Sequence, residues 1–288
     1  MVRMERVWRC GRHRIVCGGR TALVGIVNVT PDSFSDGGRY LDPQAAVAHG
    51  LRLAEEGADV LDVGGESTRP GAEPVPAAEE IARVVPVIES LVAGRPDVPV
   101  SVDTRKPGVA TAALAAGASI VNDVGAGTEP GMFEAVAGAS AGMILMHMRG
   151  EPRTMQVDPT YDDVVREVTR FLHERSEAAG SAGIPRERLC ADPGIGFGKD
   201  VGHNLELLRA VGAMRDELDL PLVVGPSRKR FIGTLTGSDD PADRLEGSAG
   251  AVAWCAAQRA DLVRVHDVRA MRRVTRVVDA IARGSVVS

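Results

Sequence analysis

A chain of 288 residues, 44% apolar and carrying a net charge of −5, can bury a large core but has no general attraction to nucleic acid or anionic membrane. No stretch approaches the roughly 20 consecutive apolar residues of a membrane span, and residues 1–19 lack the apolar centre of a signal peptide, so a cytoplasmic protein is expected. The four cysteines, Cys10, Cys17, Cys190 and Cys255, show neither CxxC nor metal-site spacing and read as free thiols, although Cys10 and Cys17 could face each other across a hairpin.

Residues 6–17 alternate apolar and polar around a Cys-Gly-Arg turn, which predicts a hairpin able to cover one end of a barrel. Eight short apolar runs follow, at 23–27, 60–63, 98–102, 120–121, 143–146, 188–191, 222–224 and 262–265. They lead into Asn28, Glu66, Asp103, Asn122, His147, Asp192, Lys229 and His266, and the stretches between them are long enough for helices. Asp42-Pro43 starts one helix, which Gly57 ends; Pro107 opens another that Gly117 closes; Pro241 opens a third. In the last helix Met271, Val274, Val278 and Ile281 share one face, with Arg272, Arg276 and Arg283 as a solvated stripe.

Eight buried parallel strands with polar residues at their C-terminal ends describe a (β/α)₈ barrel with its site at the top. A doubly wound open sheet is the alternative, and the count of eight favours the barrel. The expected organisation is a single domain over 1–288, with the hairpin in 1–21 and the barrel in 22–284.

Asp103, Asn122 and Asp192 end the third, fourth and sixth runs, and strand tops converge on a barrel axis. Their acceptors suit a flat heterocycle presenting N–H donors; a Mg²⁺ or Ca²⁺ site and helix capping are the competing readings. The segment 192–199 has a GxGxG look, but no acidic residue follows at the next strand end to take a ribose, so its glycines are expected to let backbone and Phe197 approach a ligand. Ser227-Arg228-Lys229-Arg230 gathers three cations at a strand end. Arg264 and His266 share one side of the eighth strand, beside Asn28 on the first, and together suit phosphates. Only Lys106, Lys199 and Lys229 among the 34 basic residues are lysines, which suggests places where a compact charge is required. The loops 30–42, 67–77 and 149–162 are longer and more polar than a connection needs.

Together, NVTPDSFSDGG at 28–38, GGESTRPGA at 64–72, SVDT at 101–104, NDV at 122–124, LMHM at 145–148, DPGIGFGK at 192–199, SRKRFIG at 227–233 and RVHDV at 264–268 resemble the dihydropteroate synthases of the pterin-binding family, in that family's order. The resemblance implies a (β/α)₈ barrel and a transferase of folate biosynthesis. That enzyme joins p-aminobenzoate to 6-hydroxymethyl-7,8-dihydropterin diphosphate, with Mg²⁺ present. It places Asp103, Asn122, Met146, Asp192, Phe197, Lys229 and Arg264 around the pterin. Asn28, Thr68, Arg69, Arg264 and His266 fall on the diphosphate, with Asn28 on its metal. Phe34, Pro70, Phe197 and Arg230 fall on the aminobenzoate, and Asp36, Lys229 and Asp103 carry the catalytic roles. The implied partners are these small molecules and a second copy in a homodimer, with no nucleic acid and no membrane. Gly125, Pro226 and Arg230 depart from the common pattern, leaving open whether a hydroxyl and helix N-terminus or a guanidinium holds the aminobenzoate carboxylate. A pterin-binding methyltransferase would not need the TRPG arginine or the SRK and RVH segments, and silent homologues typically lose the arginine loop, DPG or SRK segments, all three of which this chain keeps.

Overall fold

The computed structural model describes residues 6–30, 43–67, 73–151 and 153–284. Strands β1 (Arg6–Cys10) and β2 (His13–Cys17) pair antiparallel. Eight parallel strands then alternate with helices: β3 (Ala22–Asn28), α1 (Pro43–Glu55), β4 (Val60–Gly64), α2 (Ala77–Gly94), β5 (Val100–Asp103), α3 (Pro107–Ala115), β6 (Ile120–Asp123) and α4 (Met132–Gly138). They continue with β7 (Gly142–Met146), α5 (Val164–Ser181), β8 (Leu189–Asp192), α6 (Val201–Leu218), β9 (Val223–Val224), α7 (Arg230–Thr236), α8 (Leu245–Ala257), β10 (Leu262–Val265) and α9 (Val268–Arg283). The strand order is β8-β7-β6-β5-β4-β3-β10-β9, and the ring closes through a parallel bridge between Ala191 and Leu222. This is the expected eight-stranded barrel.

The two-residue period of each strand sorts its side chains between two cores. Leu23, Val27, Leu61, Val63, Val102, Val121, Leu145, Val263 and Val265 point outward and pack under the helices. Ala22, Val24, Val60, Ile120, Ile144, Cys190, Val223 and Leu262 point inward near the strand starts. Trp8, Cys10, Ile15 and Cys17 complete that inner cluster, so the hairpin does seal the bottom. Trp8 is fully buried and donates its indole N–H to the Arg188 carbonyl at 2.9 Å. Further along six of the strands the inward column turns polar: Asn28 on β3, Asp62 on β4, Asp103 on β5, Asn122 on β6, Asp192 on β8 and Arg264 on β10.

Several expectations need correction. Cys10 lies opposite His13 and Cys17 opposite Arg6, so the two thiols do not face each other; all four cysteines are free and buried. The runs at 98–102 and 188–191 become strands only from Val100 and Leu189, because Pro99 can donate no ladder hydrogen bond and Arg186–Arg188 forms one tight turn. Pro241 opens a single 3₁₀ turn, and α8 begins at Leu245. On α9 the buried residues are Val268, Met271, Thr275 and Asp279, whereas Ile281 is 81% exposed. Two of its arginines are not a solvated stripe. Arg272 reaches the carbonyls of Thr21 and Gly57, and Arg283, paired with Asp279 of its own helix at 3.0 Å, also donates to the Thr21 hydroxyl at 3.1 Å, so these guanidiniums tie the last helix to the residue before β3.

The bottom plug is therefore a packing element remote from the strand tops. Trp8→Ala should cost about 3–5 kcal/mol of stability, the range for removing a fully buried large aromatic. Urea unfolding measures this, and a loss below 1 kcal/mol would mean the hairpin does not seal the core.

Candidate functional site

At the strand tops lies a cavity of about 790 Å³, lined among others by Asn28, Asp103, Asn122, Met146, Asp192, Phe197, Lys229, Arg230, Arg264 and His266. Every sequence-derived candidate that falls on described residues thus borders one space. Phe34, Asp36, Thr68, Arg69 and Pro70 lie outside the described residues.

Register explains the convergence. Asp103 pairs with Asn122 across β5 and β6, Met146 with Asp192 across β7 and β8, and Gly64 lies opposite Asp103. All of these occupy inward positions, so their side chains meet over the barrel axis. Capping does not account for the acids and amide: Lys106 precedes α3, Gly131 precedes α4, and Asp200 caps α6 by accepting from the His203 amide at 2.8 Å.

The floor is an ionic lattice. Arg264 donates from Nε to Asp62 at 2.6 Å and from Nη2 to Asp103 at 2.8 Å. Asn122 donates its Nδ2 to the same Asp62 oxygen at 3.0 Å. With its donor committed there, the amide's carbonyl side is fixed by elimination: Asn122 Oδ1 is buried and accepts no hydrogen bond from the protein among the described residues. Asp192 Oδ1 accepts from the Gly194 amide at 2.7 Å, which fixes the carboxylate at the wall. The cavity therefore presents acceptors in search of N–H donors.

Asp62 is the residue that sequence reasoning missed. It sits inside the apolar run 60–63, yet its parity matches Gly64 and points it inward, a signal the pattern did contain. The expected cationic trio, Arg228, Lys229 and Arg230, borders the cavity; Arg228 also makes two bonds to Asp267, at 3.0 and 2.6 Å, and Arg230 is exposed. His266 Nδ1 lies 3.0 Å from the Ser227 hydroxyl.

Burial sets the charges. It pushes Asp192 up to about 6, against the Gly194 N–H and the Lys229 and Arg264 cations. Burial, with Arg264 nearby, lowers Lys229 to about 8 against the pull of Asp192 and Asp103. Asp103 is raised by burial despite Arg264. Lys229 Nζ stands 3.9 Å from the centroid of the Phe197 ring, a cation–π contact that holds both side chains at the wall.

The glycines of 194–198 serve the protein more than the ligand. Gly194 has φ +68°, and a Cβ there would lie 1.9 Å from the His147 carbonyl; at Gly198, φ +63°, it would lie 2.3 Å from the Arg149 carbonyl. The β8–α6 loop is thus pressed backbone to backbone against the end of β7.

Truncating Asp62 would strand a guanidinium inside the barrel. Asp62→Ala should cost about 3–5 kcal/mol, the usual penalty for removing one partner of a buried ion pair. Denaturant unfolding of wild type and variant tests it; a change within 0.5 kcal/mol would show that the lattice contributes nothing to the fold.

Comparison with known proteins agrees with this geometry. The pterin binding enzyme family matches residues 24–266, from β3 to the residue after β10. The dihydropteroate synthase of Neisseria meningitidis serogroup B is 47% identical over 96% of this chain and 98% of its own. The Xanthomonas albilineans dihydropteroate synthase with 4-aminobenzoic acid superposes with a TM-score of 0.90 at 51% identity, covering 96% of this chain and 98% of that one. The same enzyme in complex with 7,8-dihydropteroate gives a TM-score of 0.86 at 49% identity, over 96% and 98%. The chain belongs to the family of pterin binding enzymes.

Proposed function

We propose that this chain catalyses the dihydropteroate synthase reaction, joining p-aminobenzoate to 6-hydroxymethyl-7,8-dihydropterin diphosphate to give 7,8-dihydropteroate and diphosphate. The carrying observation is the cavity floor, where Asn122 Oδ1 is buried without a donor beside the carboxylates of Asp103 and Asp192. The amino-pyrimidinone edge of a pterin supplies N–H groups of the kind this acceptor set lacks. Asp192, Asn122 and Asp103 accept from that edge and the ring. Lys229 donates to the pterin carbonyl, and Met146, Phe197 and Arg264 line the ring. Arg264 comes with two N–H bonds already given to Asp62 and Asp103, so it is rigid before the ligand arrives.

Asn28 and His266 stand with Arg264 where the methylene end of the pterin would carry its diphosphate. Asn28 borders the cavity, and its amide oxygen is the hard donor that Mg²⁺ favours. Mg²⁺ bound there would neutralise negative charge on the diphosphate. The C–O bond between the methylene carbon and diphosphate breaks, and the electron pair leaves with the diphosphate. The arylamine lone pair then forms the C–N bond, and the nitrogen loses one proton. The ring delocalises the positive charge in between, with Asp103 and, by resemblance, Asp36 opposing it. Phe197 and Arg230 border the cavity where the aminobenzoate would lie; by resemblance alone, Phe34 and Pro70 would join them there, and Thr68 and Arg69 would join on the diphosphate. The test is diphosphate release that depends on both substrates, and its absence in the wild type would sink the reading.

A homodimer and a cytoplasmic site of action belong to the same reading. Leu235 on α7 and Leu245 and Trp254 on α8 are exposed apolar side chains that support self-association, which sedimentation equilibrium measures. Four free buried cysteines suit a reducing compartment, and no described helix is long and apolar enough to cross a membrane.

Pterin affinity should depend on pH in a bell shape. Asp192 must be ionised to accept two donors, so binding falls as pH drops through about 6. Lys229 must be protonated to donate fully, so binding falls as pH rises through about 8. Calorimetric titration of 6-hydroxymethylpterin across this range should show the plateau. Asp103, also raised by burial, shares this acid limb, so Asp192→Asn should make the limb less steep and weaken binding about tenfold, since a donor then faces donors. An acid limb of unchanged steepness in the variant would assign it to other groups.

If diphosphate departs before the amine attacks, aminobenzoate should bind weakly to the free enzyme and at least about tenfold more tightly with diphosphate and Mg²⁺ present. Arg69→Ala should abolish that gain while leaving pterin affinity nearly intact. Equal wild-type affinity in both conditions would overturn the ordered sequence and leave the overall transfer standing.

A further inference from the structure

The backbone between β8 and α6 forms the cavity wall that carries Phe197, and three successive carbonyls of it are each held by a side chain. Gln156 Nε2 donates to Gly196 O at 2.7 Å, Lys199 Nζ to Phe197 O at 2.9 Å, and the Tyr161 hydroxyl to Gly198 O at 2.8 Å. Gln156 and Tyr161 come from the long polar loop after β7, for which the transfer chemistry has no direct use. Lys199 stands apart from the other two because it is charged and only 2% exposed. Its remaining contacts are to His147, at 3.0 Å to Nδ1 and 3.4 Å to the carbonyl.

An ammonium is an expensive way to hold a carbonyl. Burial lowers Lys199 to about 7; Asp192 opposes the shift and Lys229 adds to it. His147 is lowered to about 3, by burial first and then by Lys199, and so is neutral and able to accept at Nδ1. Capping does not require the lysine, since Asp200 caps α6. What the lysine does reach is the peptide of the residue whose ring sits 3.9 Å from Lys229 Nζ.

We propose that Lys199 is a positioning residue for the transfer: by clamping the Phe197 carbonyl to the His147 strand end, it fixes the Phe197 ring against Lys229 and sets the width of the slot in which the arylamine meets the pterin. This rests on the proposed reaction for its kinetic consequence and on the geometry alone for the clamp. Phe197 has its amide bonded to Gly194 O at 3.1 Å and Gly196 has its amide bonded to Asn204 Oδ1 at 2.7 Å, so among the described residues the peptide between Phe197 and Gly198 is the one that Lys199 alone restrains at its oxygen.

Lys199→Met, Phe197→Ala and the double variant form the test. Lys199→Met should raise KM for aminobenzoate about tenfold and change kcat by less than about threefold. The double variant should be no worse than the weaker single variant, because the lysine acts through the ring. Hydrogen exchange of the Gly196 and Phe197 amides should accelerate about tenfold or more in Lys199→Met. Additive losses, a fall in kcat at constant KM, or unchanged exchange would overturn the proposal. Should Lys199→Met not fold, Tyr161→Phe removes a single hydroxyl from Gly198 O; it should raise the same KM more modestly and sub-additively with Phe197→Ala, and an unchanged KM would count against the clamp. Wild-type protein that releases no diphosphate would defeat the reaction while the exchange measurement still decides the clamp.

Discussion

The arrangement on which the site depends is Arg264 held between Asp62 and Asp103. One guanidinium on β10 spans the barrel interior to carboxylates on β4 and β5, at 2.6 and 2.8 Å. None of the three could be kept charged there alone, since an unpaired buried ion costs several kcal/mol. Together they convert an apolar barrel interior into a polar floor. Because Asp62 also takes the Asn122 amide donor, the lattice decides which atom Asn122 shows the cavity. Which acceptors the floor leaves without donors is thus a consequence of its charge balance.

That floor is possible only because the interior is divided along its axis. Below it the inward residues are apolar apart from the buried Ser101, and Trp8 and Ile15 of the hairpin pack against them. Above it the strands end and the loops supply Phe197, Lys229 and His266. Stability and recognition therefore occupy different layers of one column, and a change in the hairpin can weaken the fold without touching any group that faces the ligand.

Much of this was legible because it is local. A run of apolar residues ending in Asp103, Asn122 or Asp192 carries both the strand and its polar tip in a few consecutive letters. Asp62 was hidden by the same shortness, since a carboxylate within a four-residue apolar run looks like an interruption until parity is counted against Gly64. Ile281 and Pro241 misled for another reason: which face of α9 is covered, and where α8 begins, depend on what packs there. Gln156 and Tyr161 could not be read at all, because the loop 149–162 finds its purpose only by docking on a backbone some 40 residues later. The candidates at 34, 36 and 68–70 rest on resemblance alone.

The scarcity of lysine now has a physical reading. Lys106 sits between Glu66 and the fully buried Glu80, Lys199 between a histidine ring and two carbonyls, and Lys229 between an aromatic face and the Asp192 and Asp103 carboxylates. Each site asks for one positive charge with donors spread in three directions and room for little else. A guanidinium offers its donors in a plane and needs a wide flat partner, as Arg228 finds in Asp267 and Arg215 in Asp261. Arginine can therefore fill the surface, the bidentate pairs and the Arg264 position, where its fork reaches two carboxylates, while positions 106, 199 and 229 take the tetrahedral ammonium. An ammonium also loses its proton within reach of neutral pH when buried, as the lowered values at Lys199 and Lys229 show, whereas a guanidinium does not. Lysine at 199 and 229 makes the charge of the cavity wall adjustable, and both residues border the cavity.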